Sequence, residues 1–433
     1  MTETNKPPRV VGPLGATLMS INGMIGAGIF ALPALLYAEV GNFAPWMFLI
    51  FGLLFSASIF ISARLSNMFR ASGGPQLWAQ AAFGPFVGFQ IGWVMVLAMA
   101  AGRAATLYVL VSYLAVIFPV FDGALARALA LAFLLAALTA INLSGMRNSV
   151  GGLALGTVLK LSPILLLCAF AFASGGIATQ FAMPRFEAFE SVALLVYFAF
   201  SGANSSSYAA GELKNPRRDL PMTMLGSLAV IIVFYMAVQW AYIAAGAPQG
   251  DGDATPLASA AAAVMGENGA LLLSLAAIFS IATNSLSFFI VGPRVAFAMA
   301  DRGLLPATFA HVSHGSKAPD RAILLFAAIV GLMLASGAFT FLATVTSLAA
   351  QLVWLVVVAA FYVIMTRSDE RHDGHLAAYW WPIMAVSVGF GIFTIIQAPA
   401  SAFALLAVLL VAGTALYFVA RRSETQAPEP EFD

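Results

Sequence analysis

The sequence is poor in charge, in cysteine and in histidine. Asp, Glu, Lys and Arg make up 9% of its 433 residues, against about 25% in ordinary soluble domains, which excludes a water-soluble globular class. A single cysteine, Cys168, excludes an internal disulfide and a thiolate-ligated cluster. The histidines His311, His314, His372 and His375 all lie between apolar runs. His311 and His314 could share a helix face, but two ligands do not make a metal site, so no metal or cofactor is expected. No Ser/His/Asp, metal or nucleotide constellation is present, which argues against an enzyme. The net charge of +1 gives no basic footprint for nucleic acid.

Hydrophobic residues are abundant instead, at 61%. Apolar runs of about eighteen or more residues follow one another from Val11 to Val419, each long enough to cross a bilayer, and about twelve can be counted. The expectation is an all-α integral membrane protein with twelve transmembrane helices. The polar leader Thr2 to Arg9 lacks a small-residue cleavage site, which argues against a removed signal peptide. With twelve helices and cytoplasmic termini, Arg64, Arg70, Arg147, Lys214, Arg217, Arg218, Arg294, Arg302, Lys317, Arg321, Arg367 and Arg371 all fall inside. Of the cations only Arg127 and Arg185 fall outside, with the acidic Asp122, Glu187, Asp251, Asp253 and Glu267, the last three ahead of an eighth segment expected from about Ala270 to Ala300. That asymmetry predicts both termini in the cytoplasm. Arg103 and Lys160 are left within helices.

Segment one, Val11 to Tyr37, contains Asn22-Gly23-Met24-Ile25-Gly26-Ala27-Gly28-Ile29-Phe30. Glycines in a membrane helix most often permit close helix packing. They also permit a helix to open around a ligand, provided the freed backbone is buried in protein or lines a cavity. Segment six, Ser191 to Ala210, is interrupted as well, by Ser201, Asn204, Ser205, Ser206 and Ser207. Each segment begins a block of five helices, and interrupted helices at matching positions point to a transporter site between inverted repeats. The predicted organisation is a leader (1–10), repeat one (11–174), repeat two (187–366), helices eleven and twelve (377–420) and a tail (421–433). Half-helix N-termini suit a carboxylate and half-helix C-termini suit an ammonium, so a zwitterion fits. A channel is disfavoured because no ring of like charges and no repeated filter is present.

In order along the chain stand Gly23 to Phe30, Ser72-Gly73-Gly74-Pro75, Phe198-Ala199-Phe200-Ser201-Gly202, Ala210 to Arg218, and Arg294 with Asp301-Arg302-Gly303-Leu304-Leu305-Pro306. This series resembles the amino acid–polyamine–organocation (APC) superfamily of transporters, with its LeuT-like 5+5 inverted repeat and broken helices one and six. The resemblance covers nearly the whole chain. It implies a bacterial inner-membrane permease moving an amino acid by alternating access. N–H groups around Gly26, Ala27 and Gly28 would take the substrate carboxylate. Carbonyls at Met24, Ile25, Phe198, Ala199 and Ser201 would take its amine. Phe198 would serve as an aromatic gate, with Phe200 beside it and Phe288 as a second pocket aromatic; the alternative for these phenylalanines is ordinary packing.

An ionisable residue inside a membrane is a functional candidate because burying charge is costly. Lys160 lies ten residues into segment five, too deep to snorkel readily. In proton-coupled members of the resembled superfamily a helix-five lysine replaces a sodium ion, which implies that Lys160 carries the coupling proton. The alternative is a permanently charged tether in an obligate exchanger. Arg103 on helix three is a poor proton carrier. It is either a pocket arginine favouring a substrate with an extra acidic or polar group, or a tether between helices paired with helix-six serines. Small Ala203 and the polar residues after it suggest a pocket for small neutral side chains. The expected partners are an amino acid, a proton and the lipid bilayer; a non-transporting sensor is a further alternative.

Overall fold

The computed structural model describes residues 13–422 apart from 70–73, 145–150, 177–181, 204–215, 247–251, 314, 337, 370–371 and 374–375. It is helical almost throughout. The first apolar segment forms two helices, α1 (Pro13–Met24) and α2 (Ala27–Val40). A short 3-10 turn, Gly41–Phe43, leads into α3 (Ala44–Met68). The amphipathic piece α4 (Pro75–Phe83) precedes α5 (Pro85–Ile117), which at 33 residues must tilt to stay within a bilayer. Then come α6 (Ala124–Leu143), α7 (Gly151–Gly175), and the short α8 (Phe186–Ser191) and α9 (Ala193–Ala199). The second half continues with α10 (Pro216–Ala244), α11 (Pro256–Asp301), α12 (Asp320–Ser336), α13 (Phe339–Thr366), α14 (Trp380–Ile396) and α15 (Ala400–Arg422). Between α13 and α14, Ser368–Asp369 pairs antiparallel with His372–Asp373.

Among the described residues, seven stretches are long and apolar enough to cross a membrane, one of which, Ala27–Met68, contains both α2 and α3. The twelve segments expected from the sequence therefore include broken or shorter helices, and length alone does not fix their number. One correction concerns α11. The sequence predicts its start near Ala270, yet the chain is helical from Pro256, and the backbone turns at Gly266, where φ is 69°. Asp253 Oδ1 accepts the Thr255 N–H at 2.9 Å just before Pro256, an arrangement that starts a helix where the sequence suggested a loop.

Position in the fold follows from which faces are apolar and how far round they extend. α5 is buried along nearly all its length, packed on α11 and α13. Trp93 on α5 donates Nε1–H to the Leu409 carbonyl at 2.9 Å, and so docks α15. α6 lies at the rim, with Leu125, Leu129 and Phe133 exposed, and α15 exposes Val408, Val411 and Phe418. Such apolar outer faces suit hydrocarbon. α1, α2 and α9 are held inside, against α10, α11 and α13.

Candidate functional site

The break in the first segment comes after Met24. The Ile25 N–H still reaches the Ile21 carbonyl at 2.9 Å, but the Gly26 N–H turns back to the Met24 carbonyl at 2.9 Å. Gly26, at φ −130° and ψ −144°, then caps α2. The first N–H groups of α2 and the last carbonyls of α1 lack helical partners by geometry, and the opposed helix ends carry partial charges of opposite sign. Met24, Ile25 and Ala27 are buried.

The second interruption meets the first directly. α9 ends at Ala199, and the chain turns through Phe200 to Ala203; the serines 205–207 lie outside the described residues. A Cβ on Gly28 would stand 3.1 Å from Ala199 Cα, and one on Gly202 would run into the Gly23 carbonyl. Two backbones touch at both points: a side chain at Gly202 collides outright, and one at Gly28 requires its neighbour to shift.

Most of the carbonyls at the crossing already have donors. Tyr235 of α10 donates to Met24 O at 2.8 Å and is within 3.1 Å of Ala199 O. Ser201 Oγ donates to Phe198 O at 2.6 Å. Lys160 Nζ donates to Ile25 O at 3.4 Å, a long hydrogen bond from a side chain only 1% exposed. A substrate amine entering here must share or displace these donors. Tyr235→Phe removes one hydroxyl from two buried carbonyls and is expected to lower stability by about 1–3 kcal/mol. Thermal melting of the purified variant, with uptake measured in parallel, checks this.

The remaining expected residues fall in three places. Phe198 is buried and packs edge-on against Phe339, with ring centroids 5.7 Å apart. Phe200 lies on another face, among Phe48, Phe55 and Tyr235. Phe288 lies under the Arg103 guanidinium, 4.1 Å from the ring centroid. Arg103 NH1 donates to Asn284 Oδ1 at 2.6 Å, a partner on α11, while the serines 205–207 expected to pair with it lie outside the described residues. Asn284 Nδ2 in turn donates to Asn22 O at 2.8 Å, with Gly23 O at 3.3 Å, and a Cβ on Gly26 would touch Asn284 Oδ1 at 3.0 Å. Sequence reading missed Asn284 and Tyr235, although an asparagine inside an apolar helix is itself a signal.

The chain as a whole has relatives among known proteins. A family model described as "Amino acid permease" matches residues 11–426. The methylthioribose transporter of Bacillus subtilis is 25% identical, over 96% of this chain and 94% of its own length. The serine/threonine exchanger SteT of Bacillus subtilis is 25% identical over 90% of this chain and 91% of its own. The arginine/agmatine antiporter of Chlamydia pneumoniae is 25% identical over 77% and 72%. With the model spanning nearly every apolar helix, the chain belongs to the amino acid permease family of the APC superfamily, and is a multi-pass membrane transporter.

Proposed function

We propose that this permease is a proton-coupled amino acid symporter that works by alternating access, with the broken α1–α2 pair and α9 enclosing the substrate. The carrying observation is the contact of buried Lys160 with Ile25 O, the carbonyl at the break itself. An ammonium is a compact point charge on a flexible stem, and it can lose its proton when buried. Charged, it holds the end of α1 against α7; neutral, it holds that carbonyl less strongly. Gly26, Ala27 and Gly28 take the substrate carboxylate, and the carbonyls of Met24, Ile25, Phe198, Ala199 and Ser201 take its amine. Phe198 gates the pocket and Phe288 stands on its α11 side, while Phe200 backs the segment after α9 from another face. The membrane is the bacterial inner membrane, with both termini cytoplasmic, as the distribution of Arg and Lys suggests. The two repeats span 11–174 and 187–366.

A second reading is obligate exchange, favoured by the names of two relatives, a serine/threonine exchanger and an arginine/agmatine antiporter. Uptake of radiolabelled amino acids into sodium-free proteoliposomes separates the two. Accumulation driven by an inward proton gradient is the expected result. Uptake only into vesicles preloaded with amino acid would replace symport by exchange.

A further inference from the structure

Arg103 is a poorly compensated cation. It is 6% exposed, its Nε is buried without a hydrogen-bond partner, and its NH1 bonds to a neutral amide oxygen. Its face rests on the Phe288 ring. Among the described residues, no carboxylate lies within 4.0 Å of it; the ion pairs there are Arg127–Asp122 and His311–Asp320. Buried Asp219 stands at the start of α10 and makes no ion pair with Arg103. A guanidinium offers five donors in a planar fork and keeps its charge, so it demands an anion where water is excluded.

Its place makes that demand specific. One oxygen, Asn284 Oδ1, accepts from Arg103 and also touches the point where a Cβ on Gly26 would stand. The guanidinium is therefore one side chain's length from the N-terminus of α2, where a substrate's main carboxylate is placed. Charge counting agrees. The C-terminal end of α1 carries about half a negative elementary charge. Lys160 reaches that end directly, at Ile25 O, and Arg103 reaches it through Asn284, at Asn22 O and Gly23 O. A zwitterion adds no net charge and leaves at least half a positive charge over. An amino acid with an acidic side chain adds one negative charge.

We propose that Arg103 is a specificity-determining residue and that the transported solute is an acidic amino acid of the aspartate or glutamate class, its side-chain carboxylate paired with the guanidinium in place of Asn284. This deepens the amino acid transport reading above and rests on it. It also departs from the small neutral substrate suggested by the sequence, which leaned largely on residues 204–207, outside those described. A bidentate carboxylate–guanidinium pair is stronger and more directional than the single neutral hydrogen bond it would replace. Asparagine and glutamine match the acids in shape and lack only the charge.

The test is uptake of aspartate, glutamate, asparagine and glutamine into proteoliposomes of the full chain, for the native protein and for Arg103→Gln and Arg103→Lys. The expected native result is a kcat/KM for an acid about tenfold or more above that for its amide. Arg103→Gln is expected to collapse this ratio toward one or below, with the loss mainly in KM, and Arg103→Lys to restore part of it. A purely structural arginine would depress all four substrates together and leave the ratio alone, which overturns the proposal. So does a native protein that prefers the amides, or that moves neutral amino acids alone; amino acid transport would then stand without it. No uptake of any amino acid, acidic or neutral, overturns both. Should Arg103→Gln fail to fold, the native acid-to-amide ratio together with Arg103→Lys decides: a native ratio near one sinks the proposal, and so does a lysine variant of undiminished ratio, since a point charge cannot reproduce the fork.

Discussion

Replacing Lys160 by alanine is expected to abolish amino acid accumulation driven by a proton gradient. The ammonium bonds to Ile25 O, and no carboxylate among the described residues lies within 4.0 Å of it. A hydrogen bond to a charged group contributes about 1.5–3 kcal/mol, and at 3.4 Å this one belongs at the lower end. Alanine forfeits that tether, roughly a tenfold change in the balance between bound and released α1. It also removes the proton site, so coupling is lost outright. Lys160→Arg separates these two effects, because a guanidinium keeps its proton in proteins and can tether α1 without cycling. Arginine is thus expected to retain more counterflow exchange than alanine while losing gradient-driven uptake. The readout is initial uptake with and without an inward gradient, alongside counterflow into preloaded vesicles. Gradient-driven accumulation by either variant, from folded protein, would remove Lys160 from the coupling step.

The origin of the break was legible because glycine is costly in a helix and three occur within six residues. Lys160 and Arg103 stood out for the same kind of reason, as rare charges in apolar runs. What the sequence could not supply was direction. Phe198, Ala199, Phe200 and Ser201 adjoin in the chain, yet Phe198 faces Phe339 and Phe200 faces Phe48, Phe55 and Tyr235. Successive residues on a helix point about 100° apart, so neighbours in sequence do not share a pocket by default. Asn284 was harder still. Its partners Arg103 and Asn22 lie 181 and 262 positions away, and its pairing depends on α5, α11 and α1 meeting at one depth. The helix from Pro256 to Gly266 was hidden for another reason. Asp251, Asp253 and Glu267 read as a solvated loop, while Thr255-Pro256 carried the helix-start signal.

Gly202→Ala is expected to be a severely damaging single-methyl change. Gly202 has φ +103°, where a side chain is strained, and its added Cβ would meet the Gly23 carbonyl of α1. Strain of this kind costs about 1–3 kcal/mol on its own. The collision is with backbone and cannot be relieved by a rotamer change, so the segment after α9 must move away from α1. That separation pulls Ala199 away from Gly28 and lengthens the Tyr235 bonds to Met24 O and Ala199 O, which span the same crossing. The variant is therefore expected to melt several degrees lower and to lose nearly all uptake. Gly28→Ala supplies the graded comparison. Its φ is not in the left-handed region, and its Cβ would approach Ala199 Cα at 3.1 Å, so a shift of a few tenths of an ångström accommodates it. Reduced but measurable uptake is expected there. If Gly202→Ala transported with native KM and melted with the native protein, the two interrupted segments would not need to touch. Alternating access would then have to turn on some other contact.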